Sequence, residues 1–99
     1  MIFHSKYVKC NDAQLRWDRY RNKRPCLSFV DGNGSALITC SVNMPAHELE
    51  GDEICIKDYS ENEGTVQALI NLGIISRPIR YIGSGFVDIP VCRLLVVPS

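Results

Sequence analysis

The sequence predicts an α+β fold: an antiparallel β-sheet of about five to six strands with one main helix, at about residues 61–72, packed on one face. Apolar and polar residues alternate between residues 36 and 44, with the period of two of a half-buried strand. Only after residue 60 is the spacing clearly helical, with Val66, Leu69 and Ile70 recurring on one side. Glycine-rich segments separate the strands, as tight antiparallel hairpins require.

Length and composition indicate a single domain, residues 1–99, with one core. The chain is 45% hydrophobic and 22% charged, which is typical of a soluble globular protein. Its apolar stretches are shorter than the ~20 residues of a membrane helix, and residues 1–10 lack the apolar region of a signal peptide. We therefore expect a cytoplasmic protein that does not bind a membrane.

The cysteines are odd in number and widely spaced, and no two form a C-x-x-C pair. This pattern argues against a disulfide framework and against a zinc ribbon. Hydrophobic or β-branched neighbours favour small apolar core residues over reactive thiols or metal ligands. We predict no metal site and no cofactor. The five are Cys10, Cys26, Cys40, Cys55 and Cys92.

In the first half of the chain, the clearest prediction is a hairpin of the strands 26–30 and 36–44 around the turn residues 31–34. Residues 14–21 are interpreted as a strand, although Trp17 and Tyr20 also fit one side of a helix. The polar stretch 21–24 before Pro25 then predicts a second turn.

In the second half, residues 53–57 are predicted to form a short strand. Ser60 and Glu63 have the spacing of a capping box at the start of the helix, and Gly73 marks its end. Gly64 suggests that another stretch of backbone approaches closely. Residues 79–87 and 91–97 are interpreted as a terminal hairpin, with Gly83 to Gly85 bending its first strand.

Charge divides the chain into two parts of opposite sign. Residues 1–30 hold seven Lys or Arg and two Asp, a balance of +5, whereas residues 31–99 hold four basic and nine acidic side chains. Such asymmetry indicates a binding surface more readily than a catalytic site. The acidic run between residues 48 and 63 is predicted to bind a basic partner. The predicted acidic partner-binding residues are Glu48, Glu50, Asp52, Glu53, Asp58 and Glu61.

A basic group lies in the first part of the chain, at the predicted hairpin turn, and is interleaved with aromatic residues. Guanidinium and aromatic side chains together suit phosphate contact and base stacking, while an exposed, protein-facing turn is the alternative. The predicted partner- or nucleic-acid-binding residues are Arg16, Trp17, Arg19, Arg21, Lys23 and Arg24.

No catalytic residue is predicted. Asp58, Glu61 and Glu63 beside Tyr59 form the best acid/base or metal candidate, but their spacing matches no known metal loop. His4 and His47 are the only histidines and belong to no recognisable triad. An enzyme is thus the least supported of the functional classes.

Several motifs are distinctive: IKDYSENEG at 56–64, then Ala68-Leu69 and Gly73-Ile74-Ile75, TCSVNMP at 39–45, Arg24-Pro25, Val30-Asp31, and the closing segments 84–87 and 90–95. Together they resemble a family of small uncharacterised proteins carried by phages, plasmids and other bacterial mobile elements. The resemblance covers roughly residues 13–96. Lys23, where a hairpin glycine is usual, and Thr65, where a larger apolar residue is expected, depart from the pattern.

The resemblance implies an accessory role in a bacterial host, because several small proteins of such elements inhibit host defence, anti-CRISPR proteins among them. The leading hypothesis is a non-enzymatic protein that binds and inhibits a defence complex, with a CRISPR-Cas effector as the partner. The alternative is a nucleic-acid-binding accessory protein. The chain is expected to be a monomer or, through an exposed edge strand, a homodimer.

Overall fold

A computed structural model describes residues 1–98 and confirms the α+β class. Within these residues eight short strands form three small antiparallel sheets, instead of one sheet of five to six strands. In chain order the elements are β1 (Phe3–His4), β2 (Lys9–Cys10), β3 (Gln14–Arg19), β4 (Pro25–Val30), β5 (Ala36–Thr39), β6 (Glu53–Cys55), a 3-10 turn (Ser60–Asn62), α1 (Thr65–Asn71), β7 (Arg80–Ser84) and β8 (Val87–Arg93).

The sheet β3-β4-β5 confirms the predicted hairpin and the strand interpretation of residues 14–19. Leu27 and Phe29 face the core from the central strand, and their partners Trp17 and Ile38 lie on the same face. In the turn, the Asp31 carboxylate accepts hydrogen bonds from two backbone N–H groups, at 2.9 Å each. The hairpin therefore forms from signals that are local in sequence.

The second strand of that hairpin ends at Thr39, although the alternation continues to Met44. Beyond Thr39 the Cys40 N–H still donates to the Leu27 carbonyl of β4 at 2.8 Å, and the chain then pairs with the third sheet. Ser41 forms a bridge to Ile56, and the Val42 N–H donates to the Cys55 carbonyl at 3.0 Å. The alternating pattern thus spans two sheets and connects them.

The third sheet has the order β6-β8-β7 and is buried on both faces of its central strand. On one face Ile54, Ile56 and Cys92 join a large apolar cluster that includes Leu69 of the helix. On the other, Ile89 and neighbouring residues form a smaller cluster. The structure therefore has two apolar clusters, separated by this sheet, where one core was expected.

The terminal hairpin lies at a different register from the predicted one. Its turn is formed by Gly85 and Phe86, because Ser84 pairs with Val87. Gly85 has φ of 62°, which a glycine adopts without strain. Pro90, expected in the turn, lies buried within β8, and its carbonyl accepts a hydrogen bond from the Ile56 N–H.

The helix begins at Thr65, later than predicted, and the predicted capping box is wrong. Ser60 has φ of 53° and starts a 3-10 turn, and its carbonyl, instead of its hydroxyl, accepts the Glu63 N–H. The helix cap comes from Asp58, whose Oδ1 accepts the Val66 N–H at 3.0 Å.

Gly64 confirms the expected close approach of backbone. A Cβ at this position would lie 2.9 Å from the Lys6 backbone nitrogen, and the Gly64 φ is 91°. Thr65 is fully buried and donates its hydroxyl to the Asn62 carbonyl at 2.6 Å. Ala68 and Leu69 bury the inner side of the helix in the large cluster. Within residues 1–98, no helix combines the length and apolarity needed to cross a membrane.

Candidate binding surface

Most of the acidic run is paired with basic residues of the same chain. The Arg93 guanidinium lies 2.8 Å from Asp52 and 3.5 Å from Glu50. Lys57 pairs with Glu61, four residues further along the chain. These pairs are largely exposed, so solvent screens them and each contributes little to stability. They nevertheless reduce the net charge that this region presents to a partner.

Glu53 has a structural role and is removed from the predicted partner surface. It is only 4% exposed, and its carboxylate binds the Arg80 guanidinium through two hydrogen bonds of 2.6 and 2.8 Å. The Glu50 N–H donates to the same carboxylate at 2.9 Å. The hydrogen bonds from Arg80, followed by that backbone bond, lower the pKa of Glu53 to about 2.

Two further members of the acidic set have different surroundings. Asp58 is half-buried, and its carboxylate caps the helix, so this residue also has a structural role. Glu48 is exposed, and its carboxylate forms no ion pair with any residue that the structure describes. The predicted acidic surface is therefore mostly satisfied within the molecule.

The turn between β3 and β4, in contrast to the acidic run, carries basic side chains. Its backbone is closed by hydrogen bonds between Tyr20 and Arg24 at 2.9 Å and between Lys23 and Tyr20 at 2.8 Å. Lys23 has φ of 70°, the left-handed conformation in which a glycine is usual. The turn places Arg21 and Lys23 in solvent.

The arginines that flank this turn bind carbonyl groups, not carboxylates. Arg24 donates to the Met44 carbonyl at 2.8 Å and also to the His47 carbonyl. Arg19 donates to the Lys23 carbonyl at 3.2 Å. These bonds fix the guanidinium groups and leave their charge without a counter-ion in residues 1–98. The cations that share this property, hereafter the basic turn, are Arg19, Arg21, Lys23 and Arg24.

Arg16 and Trp17, both predicted to belong to the binding site, lie apart from the basic turn. Arg16 is on the solvent face of β3 and pairs with Asp18 at 3.2 Å. Trp17 is on the core-facing side and packs against the large cluster. Tyr20 is half-buried, its hydroxyl is 2.8 Å from the Ser41 hydroxyl, and burial raises its pKa to about 12. Both aromatic side chains are thus partly buried and engaged within the molecule.

A groove of about 200 Å³ lies between the basic turn and the loop before β6. Lys23 and Arg24 line one side, and Leu49, Glu50 and Glu53 line the other. Because both signs of charge line it, the groove is not a dedicated anion pocket. The outer, solvent-facing side of the basic turn is the better candidate for contact with an anion.

The cysteines follow the prediction of core residues in three of five cases. Cys40, Cys55 and Cys92 are buried, and burial raises the pKa of the Cys40 and Cys92 thiols to about 12. No group of three or more potential ligands in the described part of the chain is arranged to hold a metal ion.

Sequence reasoning missed Arg80 and Arg93, the two residues that neutralise the centre of the acidic run. Both lie in the terminal hairpin, and the register of β8 against β6 places Arg93 directly opposite Glu53. Placing the hairpin turn at Gly85 and Phe86 in the sequence would have given the register of β7 against β8, and with it the position of Arg80.

Comparisons with known proteins provide no family assignment: the sequence matches no family model and no curated protein, and no solved structure matches the chain.

Proposed function

We propose that this is a non-enzymatic protein of a phage or other mobile element that binds and inhibits a bacterial defence complex, with a CRISPR-Cas effector as the partner. The basic turn makes the contact. One observation carries the choice of surface: the four cations of this turn have no carboxylate partner within residues 1–98, whereas the acidic run is mostly paired internally. The family resemblance supplies the biological setting.

A CRISPR-Cas effector offers an anionic surface that suits the basic turn. Such complexes carry guide RNA and target DNA, whose phosphates attract Lys and Arg regardless of base sequence. Arg24 is fixed by two backbone carbonyls, so little side-chain freedom is lost when the turn docks. An acidic contact surface would instead require the pairs with Arg93 and Lys57 to break.

Charge reversal tests this assignment. In the double variant Arg21→Glu and Lys23→Glu we expect affinity for the purified effector to fall by more than about tenfold, because two exposed attractive charges become repulsive. The matched control is Lys9→Glu with Arg77→Glu, which changes net charge equally at two exposed sites outside the turn. Equal binding and equal inhibition by the two double variants would rule out the basic turn as the contact.

The same turn favours a second candidate, a nucleic-acid-binding accessory protein that needs no protein partner. Contact of four cations with phosphates predicts a log–log salt slope of about −3 to −4 for duplex DNA. Filter binding of free DNA and RNA, compared with binding to the purified effector at the same two salt concentrations, distinguishes the candidates. Equal affinity for free nucleic acid and for the effector favours the accessory protein, whereas binding to the effector more than about tenfold tighter than to free nucleic acid favours the inhibitor. No observation favours an enzyme centred on Asp58, whose carboxylate caps the helix.

A further inference from the structure

The two larger sheets have four edges, and three of these are protected against further strand pairing. The β3 edge carries Arg16, Asp18 and Arg19, and charged side chains discourage pairing. The β5 edge is only four residues long, and the Asn62 side chain donates to its Thr39 carbonyl at 2.6 Å. The β6 edge is covered by residues 41–42.

Among the residues that the structure describes, nothing gives the β7 edge comparable protection. Its five residues include no proline and no acidic residue, and its one charged side chain, Arg80, is engaged with Glu53. Tyr81 is 62% exposed and Ile79, just before the strand, is 44% exposed. Phe86 is fully exposed in the adjoining turn. Exposed apolar side chains beside an open strand edge characterise a pairing site.

Hydrogen bonding shows which backbone groups of β7 are open. The Pro90 carbonyl faces β6, where it accepts the Ile56 N–H, and the Val91 carbonyl faces β7, where it accepts the Ile79 N–H. The N–H and C=O groups of successive residues point to opposite sides of a strand. The N–H and C=O groups of Arg80 and Ile82, which pair with Val91 and Ile89, therefore face β8. Tyr81 and Gly83 therefore direct their N–H and C=O groups outward, and neither receives a hydrogen bond from other loops of residues 1–98.

We propose that β7 pairs antiparallel with β7 of a second copy of this chain, joining two three-stranded sheets into one of six strands. The occupant is a second copy because the edge is self-complementary about a twofold axis through Ile82. In this register Tyr81 lies opposite Gly83 of the partner copy, and each such pair exchanges both of its outward hydrogen bonds.

Side chains fit the same register. Gly83 has open space around it, since an added Cβ would meet only the Asp88 carboxylate at 3.9 Å, so the opposite Tyr81 ring can cover this glycine. Arg80 lies opposite Ser84 and not opposite the second Arg80, which avoids like-charge repulsion. Phe86 of each copy comes beside Pro78 and Ile79 of the other, and its exposed ring is then covered.

Sedimentation velocity of the full chain over a concentration series tests the proposal. The wild type is expected to form a dimer, and Tyr81→Lys is expected to raise the dissociation constant by more than about tenfold because it places a charge at the edge. Gln14→Lys is the matched control, an added lysine on the exposed edge strand β3, and should dimerise like the wild type. A wild type that stays monomeric at every concentration overturns the proposal, as does a Tyr81→Lys dimer of unchanged affinity.

Amide hydrogen exchange provides a second measurement that needs no variant. The Tyr81 and Gly83 amides should become protected as concentration rises, while the Ile82 amide, bonded to β8, should be protected throughout. Rapid exchange at Tyr81 and Gly83 in a dimeric sample would place the interface elsewhere. Charge reversal of the basic turn should leave dimerisation unchanged, so failure of the proposed function and failure of the dimer are distinguishable.

Discussion

Glu53 combines the features of a buried structural ion. Its carboxylate receives the Arg80 fork and the Glu50 N–H while nearly all of its surface is excluded from water. Removing one partner of such a pair leaves a buried charge uncompensated. The pair joins β6 to β7, two strands that do not contact each other in the sheet order, so it holds both sides of β8 in place.

The lowered pKa of Glu53 predicts a loss of stability in acid. Because its folded pKa of about 2 lies below the ordinary value of 4.5, its contribution is full above about pH 4.5 and is lost as pH falls through the folded pKa. Denaturant unfolding at a series of pH values should show this decline in the wild type. Glu53→Gln should be less stable at neutral pH and depend less on pH below 4.5. The control, Glu48→Gln, should follow the wild-type curve.

Substitution of Lys23 is expected to increase stability, unlike substitution of Glu53. A non-glycine residue at φ of 70° is strained by roughly 1–2 kcal/mol, and part of this is recovered by glycine after its own entropy cost. We expect Lys23→Gly to stabilise the protein by about 1 kcal/mol in denaturant unfolding. Arg21→Gly, which removes the same charge from a position without positive φ, should give no such gain. If both variants are equally stable, the strain at Lys23 is negligible.

At the scale of elements, two variants test whether Asp58 or the Ser60 capping box caps the start of α1. Asp58→Ala should destabilise the protein by about 1 kcal/mol, because the Val66 N–H loses its acceptor and the helix N-terminus loses a nearby charge. Ser60→Ala should be nearly neutral, since the Ser60 hydroxyl does not cap the helix. Thermal unfolding of the two variants measures the difference, and a larger loss for Ser60→Ala would restore the capping box.

The elements that sequence predicts well are those specified by neighbouring residues. The β4–β5 hairpin follows from alternation and from an Asp31 turn that closes on itself. The helix start was misplaced because its cap comes from Asp58, before the 3-10 turn, and because Gly64 packs on Lys6, which is distant in sequence. The terminal turn was misplaced because Pro90, usually a strand breaker, is tolerated where β8 needs only its carbonyl.

The candidate site was predictable only in part, for a related reason. A sequence shows how many charges a segment holds but not which of them are paired. The turn at residues 21–24 follows from Pro25 and the polar residues before it, yet Trp17 and Arg16 lie on opposite faces of β3, as strand alternation requires. Glu53 does not belong to the exposed acidic surface, because it is buried in an ion pair with Arg80, a residue far from it in the chain.

For the whole molecule, the third sheet makes the two apolar clusters interdependent. Ile89 is 1% exposed and belongs to the smaller cluster, while Trp17 packs against the larger one. We expect Ile89→Ala to cost about 2–5 kcal/mol and to unfold the chain in one cooperative transition. Trp17 fluorescence and far-ultraviolet circular dichroism should then show the same midpoint. Two separate midpoints would mean that the clusters unfold independently.

The three buried thiols can also report local unfolding of the protein. Cys40, Cys55 and Cys92 lie on or beside the strands that separate the two clusters, and burial raises the pKa of each thiol. In the folded state they are both inaccessible and protonated, hence poor nucleophiles. A thiol reagent therefore reaches them only when the sheet separates from the clusters, so their rate of modification measures how often the structure opens, without any engineered cysteine.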